Sequence, residues 1–155
     1  MIVRGILHYV PGMEIVRFHA PALKGFLAMI HIKTTSKSVD EVSAAFETVV
    51  PEHKFGLLHV HDLKQTMANK GVEFAPECRV FEVCNPHHAA AVLGEDIRVN
   101  LALPCRIGVW SEDGETKVGT LLPTQLLGVF GDSEIMSATA AEVEEVMLAI
   151  IDDVI

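Results

Sequence analysis

Alternating and helical patterns of apolar residues succeed each other along the chain. Residues Phe26–Thr34 alternate between two sides, one of them strongly apolar, which predicts a strand. Ser38, with Glu41 three residues later, forms a capping box, in which the hydroxyl and the carboxylate satisfy two free backbone donors. Apolar residues then recur at helical spacing, so we predict a helix over 39–50 that ends near Pro51.

The middle of the chain contains two further apolar runs. The runs Phe55–His61 and Arg79–Cys84 predict strands, and between them Asp62 is placed to cap a short helix that Gly71 ends.

A second helix-start signal follows directly. Asn85 is a good helix cap, and Pro86 suits the first helical position, where a missing N–H costs nothing. We therefore predict a helix over His87–Leu93 that ends at Gly94.

The last third of the chain predicts a hairpin and a long helix. Asp113-Gly114 is a strong turn signal between the strands Ala102–Ser111 and Thr116–Leu122, and Gln125–Phe130 is expected to extend the sheet. A second capping box and one continuous apolar stripe then predict a final helix lying on the sheet; the box is Thr139 and Glu142, and the stripe is Val143, Val146, Met147, Ile150, Ile151 and Val154.

The order of elements predicts the fold class. Hairpin-linked strands with helices between them indicate an α+β domain over 26–155, with a mainly antiparallel sheet and flanking helices in the order β-α-β-β-α-β-β-α. Residues 1–25, with short strands at Ile2–Tyr9 and Glu14–Phe18, are expected to form an extension that packs on the domain or on a dimer partner. Helices on one face leave the other face uncovered, and a homodimer would cover it.

Composition and charge narrow the function classes. The 155 residues are 50% hydrophobic, and 12 basic against 21 acidic residues give a net charge of −9. This argues against nucleic-acid and anionic-membrane partners, which need clustered Lys and Arg. An odd number of cysteines argues against a disulfide framework, and no targeting or membrane-spanning segment is visible, so we expect a cytoplasmic protein with reduced thiols.

The most suggestive segment for chemistry is the strand-to-helix turn at Cys84. The unpaired N–H groups and the dipole at a helix start favour a thiolate, so Cys84 is a candidate catalytic thiol and Asn85 a candidate ligand-binding residue. The alternative is that Cys84 is a buried core residue and that Asn85 is an ordinary helix cap.

A second cysteine stands at the predicted start of a strand. Pro104 places Cys105 near a sheet boundary, and if its strand lies beside the one ending at Cys84, the two candidate catalytic thiols are neighbours. Arg106 points to the opposite face from Cys105 and is a candidate anion-binding residue.

Histidines offer a possible metal site. His59 and His61 share one face of a predicted strand and, with His87 or the cysteines, would supply ligands for a soft divalent metal. A solvated strand face is the alternative.

Four short motifs, in this order and spacing, resemble the Domain of Unknown Function 302 family. They are Lys54-Phe55-Gly56, His61-Asp62-Leu63, Val83-Cys84-Asn85-Pro86 and Leu103-Pro104-Cys105-Arg106. The resemblance runs from about Ile30 to the C terminus. The resemblance implies a compact α+β domain with an antiparallel sheet that forms a homodimer. It also implies a family found in bacteria and archaea, some of whose members are encoded near sulfur-metabolism genes. It implies no established activity.

Three functional hypotheses stay open. The first is a homodimeric binding or sulfur-handling module for a small ligand or a sulfur carrier, with Cys84 as the reactive thiol and Cys105 as a neighbouring or resolving one. The second is a protein that binds a metal ion or haem through His59, His61 and Cys84, with His87 as a further ligand. The third is a structural or interaction module without chemistry.

Overall fold

The computed structural model describes residues 28–155. The predicted N-terminal extension, with its strands Ile2–Tyr9 and Glu14–Phe18, lies outside these residues, as do Phe26 and Leu27 at the start of the first predicted strand. None of the described helices is long and apolar enough to cross a membrane.

Five antiparallel strands form one sheet, in the spatial order β1-β5-β4-β3-β2. The strands are β1 (Ile30–Thr35), β2 (Gly56–Asp62), β3 (Cys78–Cys84), β4 (Cys105–Glu112) and β5 (Glu115–Leu121). The helices are α1 (Val39–Glu52), α2 (Leu63–Ala68), α3 (Pro86–Glu95), α4 (Pro123–Leu127) and α5 (Glu134–Val154), with a 3₁₀ helix (Ile97–Ala102) between α3 and β4. The α+β class and the predicted order of strands and long helices are confirmed.

The predicted capping residues begin the first two helices. Ser38 and Glu41 form a complete capping box at the start of α1, and the Asp62 side chain accepts a hydrogen bond from the backbone N–H of Gln65 at the start of α2. Helix α1 continues one residue beyond Pro51, which lies in its last turn.

The segment after β5 differs from the prediction. Gln125–Phe130 was expected in the sheet, and this prediction is wrong, because the chain leaves the sheet at Leu121 and turns into α4. Pro123 has no N–H to offer a neighbouring strand, and its fixed φ suits the first position of a helix. Strand β4 likewise begins at Cys105, since Ala102 lies in the 3₁₀ helix.

The long C-terminal helix begins earlier than predicted. Ser133, not Thr139, is its cap, and the Ser133 hydroxyl accepts a hydrogen bond from the backbone N–H of Met136. Thr139 is buried inside the helix. Gly94 lies within α3, which ends at Glu95.

The main core lies between the sheet and helices α1 and α5. Phe46 of α1 stacks on Phe81 of β3, with ring centroids 4.0 Å apart. The predicted stripe of α5 faces this core: Val146 is partly buried, and the buried members are Val143, Met147, Ile150, Ile151 and Val154. Both long helices therefore cover the same face of the sheet.

The apolar side of β1 faces away from these helices. Lys33 forms an ion pair with Asp152 of α5, so the polar side of β1 is the one directed toward the helix layer. Ile32, on the other side of the strand, is 48% exposed. The described residues thus leave apolar surface on the outer face of the sheet.

Candidate functional site

The sheet register brings the two candidate thiols to one place. Strands β3 and β4 are neighbours, and Val83 pairs with Cys105. Cys84, the last residue of β3, is therefore one residue from the partner of Cys105. Neither thiol forms a disulfide.

Cys84 and Cys105 both line a cavity of about 230 Å³ at this end of the sheet. The ends of β3, β4 and β5, helices α3, α4 and α5, and the 3₁₀ helix contribute to its walls. Most of the lining is apolar and includes Phe55, Val92, Leu103, Leu127, Val143 and Met147. The site is thus a small apolar chamber with a few polar groups in its wall.

Helix α4 forms one wall of the cavity, and it is joined to α5 by apolar packing and by one carboxylate. Leu122, its cap residue, makes no side-chain hydrogen bond. Instead, Glu144 of α5 accepts hydrogen bonds from the backbone N–H and the hydroxyl of Thr124, at 2.9 and 2.5 Å. Pro123 and Leu127 of the same helix line the cavity, and Leu127 also packs on Met136 and Ala140 of α5. No sequence signal had pointed to Glu144.

Asn85 caps α3 as predicted, and this role occupies its side chain. Its Oδ1 accepts hydrogen bonds from the backbone N–H groups of His87 and His88, and its Nδ2 donates to the carbonyl of Lys54. Pro86 at the first helical position has no N–H. The helix start therefore has no free donor in its first three positions with which to stabilise a Cys84 thiolate.

The electrostatic surroundings favour neutral thiols. Burial raises the pKa of Cys84 above that of an ordinary thiol. Burial, followed by the nearby Cys84, raises the pKa of Cys105 to about 11. Both directions are opposite to the one that an activated thiolate requires.

Arg106 lies in a polar cluster on the outer face of the sheet. Its register partner is Glu82, whose Oε1 lies 3.4 Å from the Arg106 Nη2 and 3.2 Å from the His61 Nε2. The His59 and His61 rings meet edge to face with centroids 4.4 Å apart. The Arg106 side chain is thus paired with Glu82 but stays largely exposed, and Arg106 is also one of the residues that line the cavity.

The predicted metal ligands do not form a metal-binding group. His87 lies in the first turn of α3, next to the Gly56–Cys84 end of the β2–β3 pair, whereas His61 pairs with Val80 farther along the strand. Within residues 28–155 no group of three or more His, Cys, Asp or Glu side chains is arranged to hold a metal ion. The cavity, at about 230 Å³, is also smaller than the ~300–1,000 Å³ of sites that enclose drug-sized molecules.

His88 is a cavity residue that the sequence interpretation did not select. Its Nε2 lies 3.4 Å from Oε2 of Glu142 on α5, and its ring lies 5.9 Å from that of Phe55. Its Nδ1 is buried and has no hydrogen-bond partner among the described residues. Residues 88 and 142 are far apart in the sequence and meet only where α3 packs on α5. The sequence alone therefore does not show the contact between His88 and Glu142.

The fold and the site define a class of protein: a small α+β domain with an antiparallel sheet and an apolar cavity at one end of it. The chain matches the family model described as "Domain of unknown function DUF302" over residues 31–154. It therefore belongs to the DUF302 family, as its motifs had indicated.

A solved structure supports this assignment. The chain is similar to an uncharacterized conserved DUF302 protein from Bacillus stearothermophilus, known from its crystal structure, with 31% sequence identity and a TM-score of 0.76. The match covers 82% of this chain and 98% of the other. No curated protein matches the chain.

Proposed function

We propose that this protein binds a small, largely apolar ligand in the cavity beside Cys84 and Cys105. The cavity itself carries the proposal: about 230 Å³ with mostly apolar walls. An engineered apolar cavity of about 150 Å³ stays dry and binds benzene. A molecule of the size of a substituted benzene ring is therefore the class of ligand that we expect.

The two thiols make the site suitable for a ligand that contains sulfur, and binding such a ligand requires no reaction. Because burial keeps Cys84 and Cys105 protonated at neutral pH, they are soft, weakly polar contacts and poor nucleophiles. We therefore favour reversible binding of a ligand with a sulfur or another soft group over covalent catalysis. Three reduced thiols also suit a cytoplasmic location.

Filling the cavity tests the proposal. Ala89 of α3 lines the cavity, whereas its neighbour Ala90 is exposed and does not. Ala89→Leu places three additional carbon atoms in the chamber, and Ala90→Leu is the matched control on the same helix. Benzene in saturated buffer should raise the melting temperature of the wild type and of Ala90→Leu, because it binds the folded state.

Ala89→Leu should fold and show no such rise. A wild type whose melting temperature ignores benzene would contradict the proposal and favour a structural or interaction module. An equal rise in Ala89→Leu would place benzene elsewhere on the protein.

We also propose, as a separate point, that a second copy covers the outer face of the sheet. Among the described residues, Ile32 leaves 48% of its surface exposed there, and Leu121, which also lines the cavity at the strand end, leaves 45% exposed. Light scattering at micromolar concentration should give twice the mass of the 16.9 kDa chain, and Ile32→Asp should reduce it. A wild type of single-chain mass would contradict the dimer and leave the cavity proposal intact.

A further inference from the structure

The cavity opens to solvent between exposed apolar side chains. Among the residues that line it, Leu101 of the 3₁₀ helix and Leu121 at the end of β5 are 80% and 45% exposed within the described part of the chain. A residue that lines a cavity and is also largely exposed lies at its opening. We call Leu101, Leu121 and the half-buried Leu126 of α4 the mouth of the cavity.

The mouth is an apolar surface that the described residues leave uncovered. Single exposed apolar residues are normal on a protein surface, whereas apolar side chains grouped around an opening are typical of a docking surface. The charged side chain at the same opening, Arg106, is paired with Glu82. A segment that covered the mouth would therefore remove mainly apolar surface from water.

The described part of the chain begins beside this mouth. The backbone carbonyl of Met29 accepts a hydrogen bond from the N–H of Leu122 at 2.8 Å, and Ile30 pairs with Leu121 in the sheet. Paired strands lie about 4.8 Å apart, so Ile30 is one strand spacing from a residue of the mouth. Residues 1–27 therefore join the domain at the opening of the cavity.

The composition of residues 1–27 suits a cover for this surface. More than half of these residues are hydrophobic, and the basic residues Arg4, Arg17 and Lys24 outnumber the acidic residue Glu14. The whole chain has a net charge of −9, so the segment and the rest of the chain are oppositely charged. The match to the family model begins at residue 31, which makes the segment an addition to the domain that the family shares.

We infer that residues 1–27 dock on the mouth of their own chain and close the cavity toward solvent on that side. A segment attached beside its docking surface is present there at a high effective concentration, whereas the same segment of another copy has to bind from solution. The inference depends on the mouth and on the path of the chain. It holds whether or not the cavity takes a ligand.

A photo-reactive side chain at the mouth tests the docking in the full chain. Leu101 is replaced by p-benzoylphenylalanine, which keeps an apolar side chain at this exposed position, and the same replacement of Leu58 is the control. Leu58 is 58% exposed, does not line the cavity and lies in β2, at the opposite edge of the sheet from β1. After irradiation, mass spectrometry should find position 101 joined to residues 1–27 in a product of single-chain mass, and position 58 should give no such product.

Trypsin provides a second measurement through the basic residues of the segment. It cleaves after Arg17 and Lys24, and docking should protect both sites in the wild type. Leu101→Asp places a charge at the mouth and should make this cleavage at least about tenfold faster, the factor that corresponds to the burial of one leucine side chain. Leu58→Asp should be cleaved at the wild-type rate.

The outcomes separate the possible occupants of the mouth. A crosslinked product of double mass, joined through residues 1–27, would assign the mouth to a second copy and overturn docking within one chain. No crosslink from position 101 to residues 1–27 would overturn the docking itself, and this measurement decides even if Leu101→Asp does not fold. Equal cleavage of folded Leu101→Asp and the wild type would also overturn it. A wild type that ignores benzene would overturn the proposed function and leave this inference standing.

Discussion

At the scale of single residues, the surroundings of the cavity cysteines determine what they can do. The N–H groups that could stabilise an anion at Cys84 are used by the Asn85 side chain, and Pro86 supplies none. Cys105 is held among apolar side chains. Both thiols are consequently neutral at physiological pH, which suits contact with a ligand better than nucleophilic attack.

Burial of Cys105 predicts a specific dependence of stability on pH. Its pKa is about 11 in the folded protein, against about 8.5 in an unfolded chain. The unfolded state thus loses this proton first as pH rises, so the stability that Cys105 contributes is complete below about pH 8.5 and is lost through about pH 11. A difference of this size corresponds to about 3 kcal/mol.

Urea unfolding at pH 8 and pH 11 measures this effect. The wild type should lose about 3 kcal/mol more free energy of unfolding over this range than Cys105→Ala does. Cys78→Ala removes a thiol that, unlike Cys105, does not pack against the main core, and its loss should stay closer to that of the wild type. Equal losses in Cys105→Ala and the wild type would show that the thiol is not buried as described.

At the scale of elements, local signals predicted most of the chain. The capping residues Ser38, Asp62 and Asn85 and the turn at Asp113-Gly114 act within a few residues, so the sequence shows them directly. The start of α5 was misplaced although its signal is local, because Ser133 and Thr139 are both possible caps by sequence and the helix uses Ser133. Helix α4 has a local signal in Pro123, but its contacts with α5, among them the one between Thr124 and Glu144 twenty residues away, lie beyond a local pattern.

The pairing of β1 with β5 depends on a glycine. A Cβ at Gly119 would lie 2.7 Å from the backbone carbonyl oxygen of His31 and 2.9 Å from the Ile32 side chain, whereas a Cβ at Gly108 meets nothing closer than 3.8 Å. Gly119→Ala should therefore destabilise the protein by about 1–3 kcal/mol, because the backbone of β1 must move.

Chemical denaturation of the two alanine variants tests this requirement. Gly108→Ala is the control and should cost less than Gly119→Ala. If Gly119→Ala were as stable as Gly108→Ala, the close approach of β1 to β5 would be wrong.

At the scale of the whole molecule, the cavity depends on elements that are distant in the sequence. Cys84 and Cys105 can be neighbours only if β3 and β4 lie side by side. The sheet register shows that these two strands pair. The chamber itself needs α3, α4 and α5 around the end of the sheet, and so does the pairing of His88 with Glu142. The family motifs marked Cys84 and Cys105 but neither His88 nor the space between the helices.

Crystals held under xenon pressure test the central claim most directly. Xenon occupies apolar chambers without needing a polar contact. We predict an anomalous scattering peak between Cys105, Val92 and Leu127 in the wild type and no peak there in Ala89→Leu. A wild-type crystal with no xenon in this chamber, or one in which ordered water fills it, would contradict an apolar binding site at this end of the sheet.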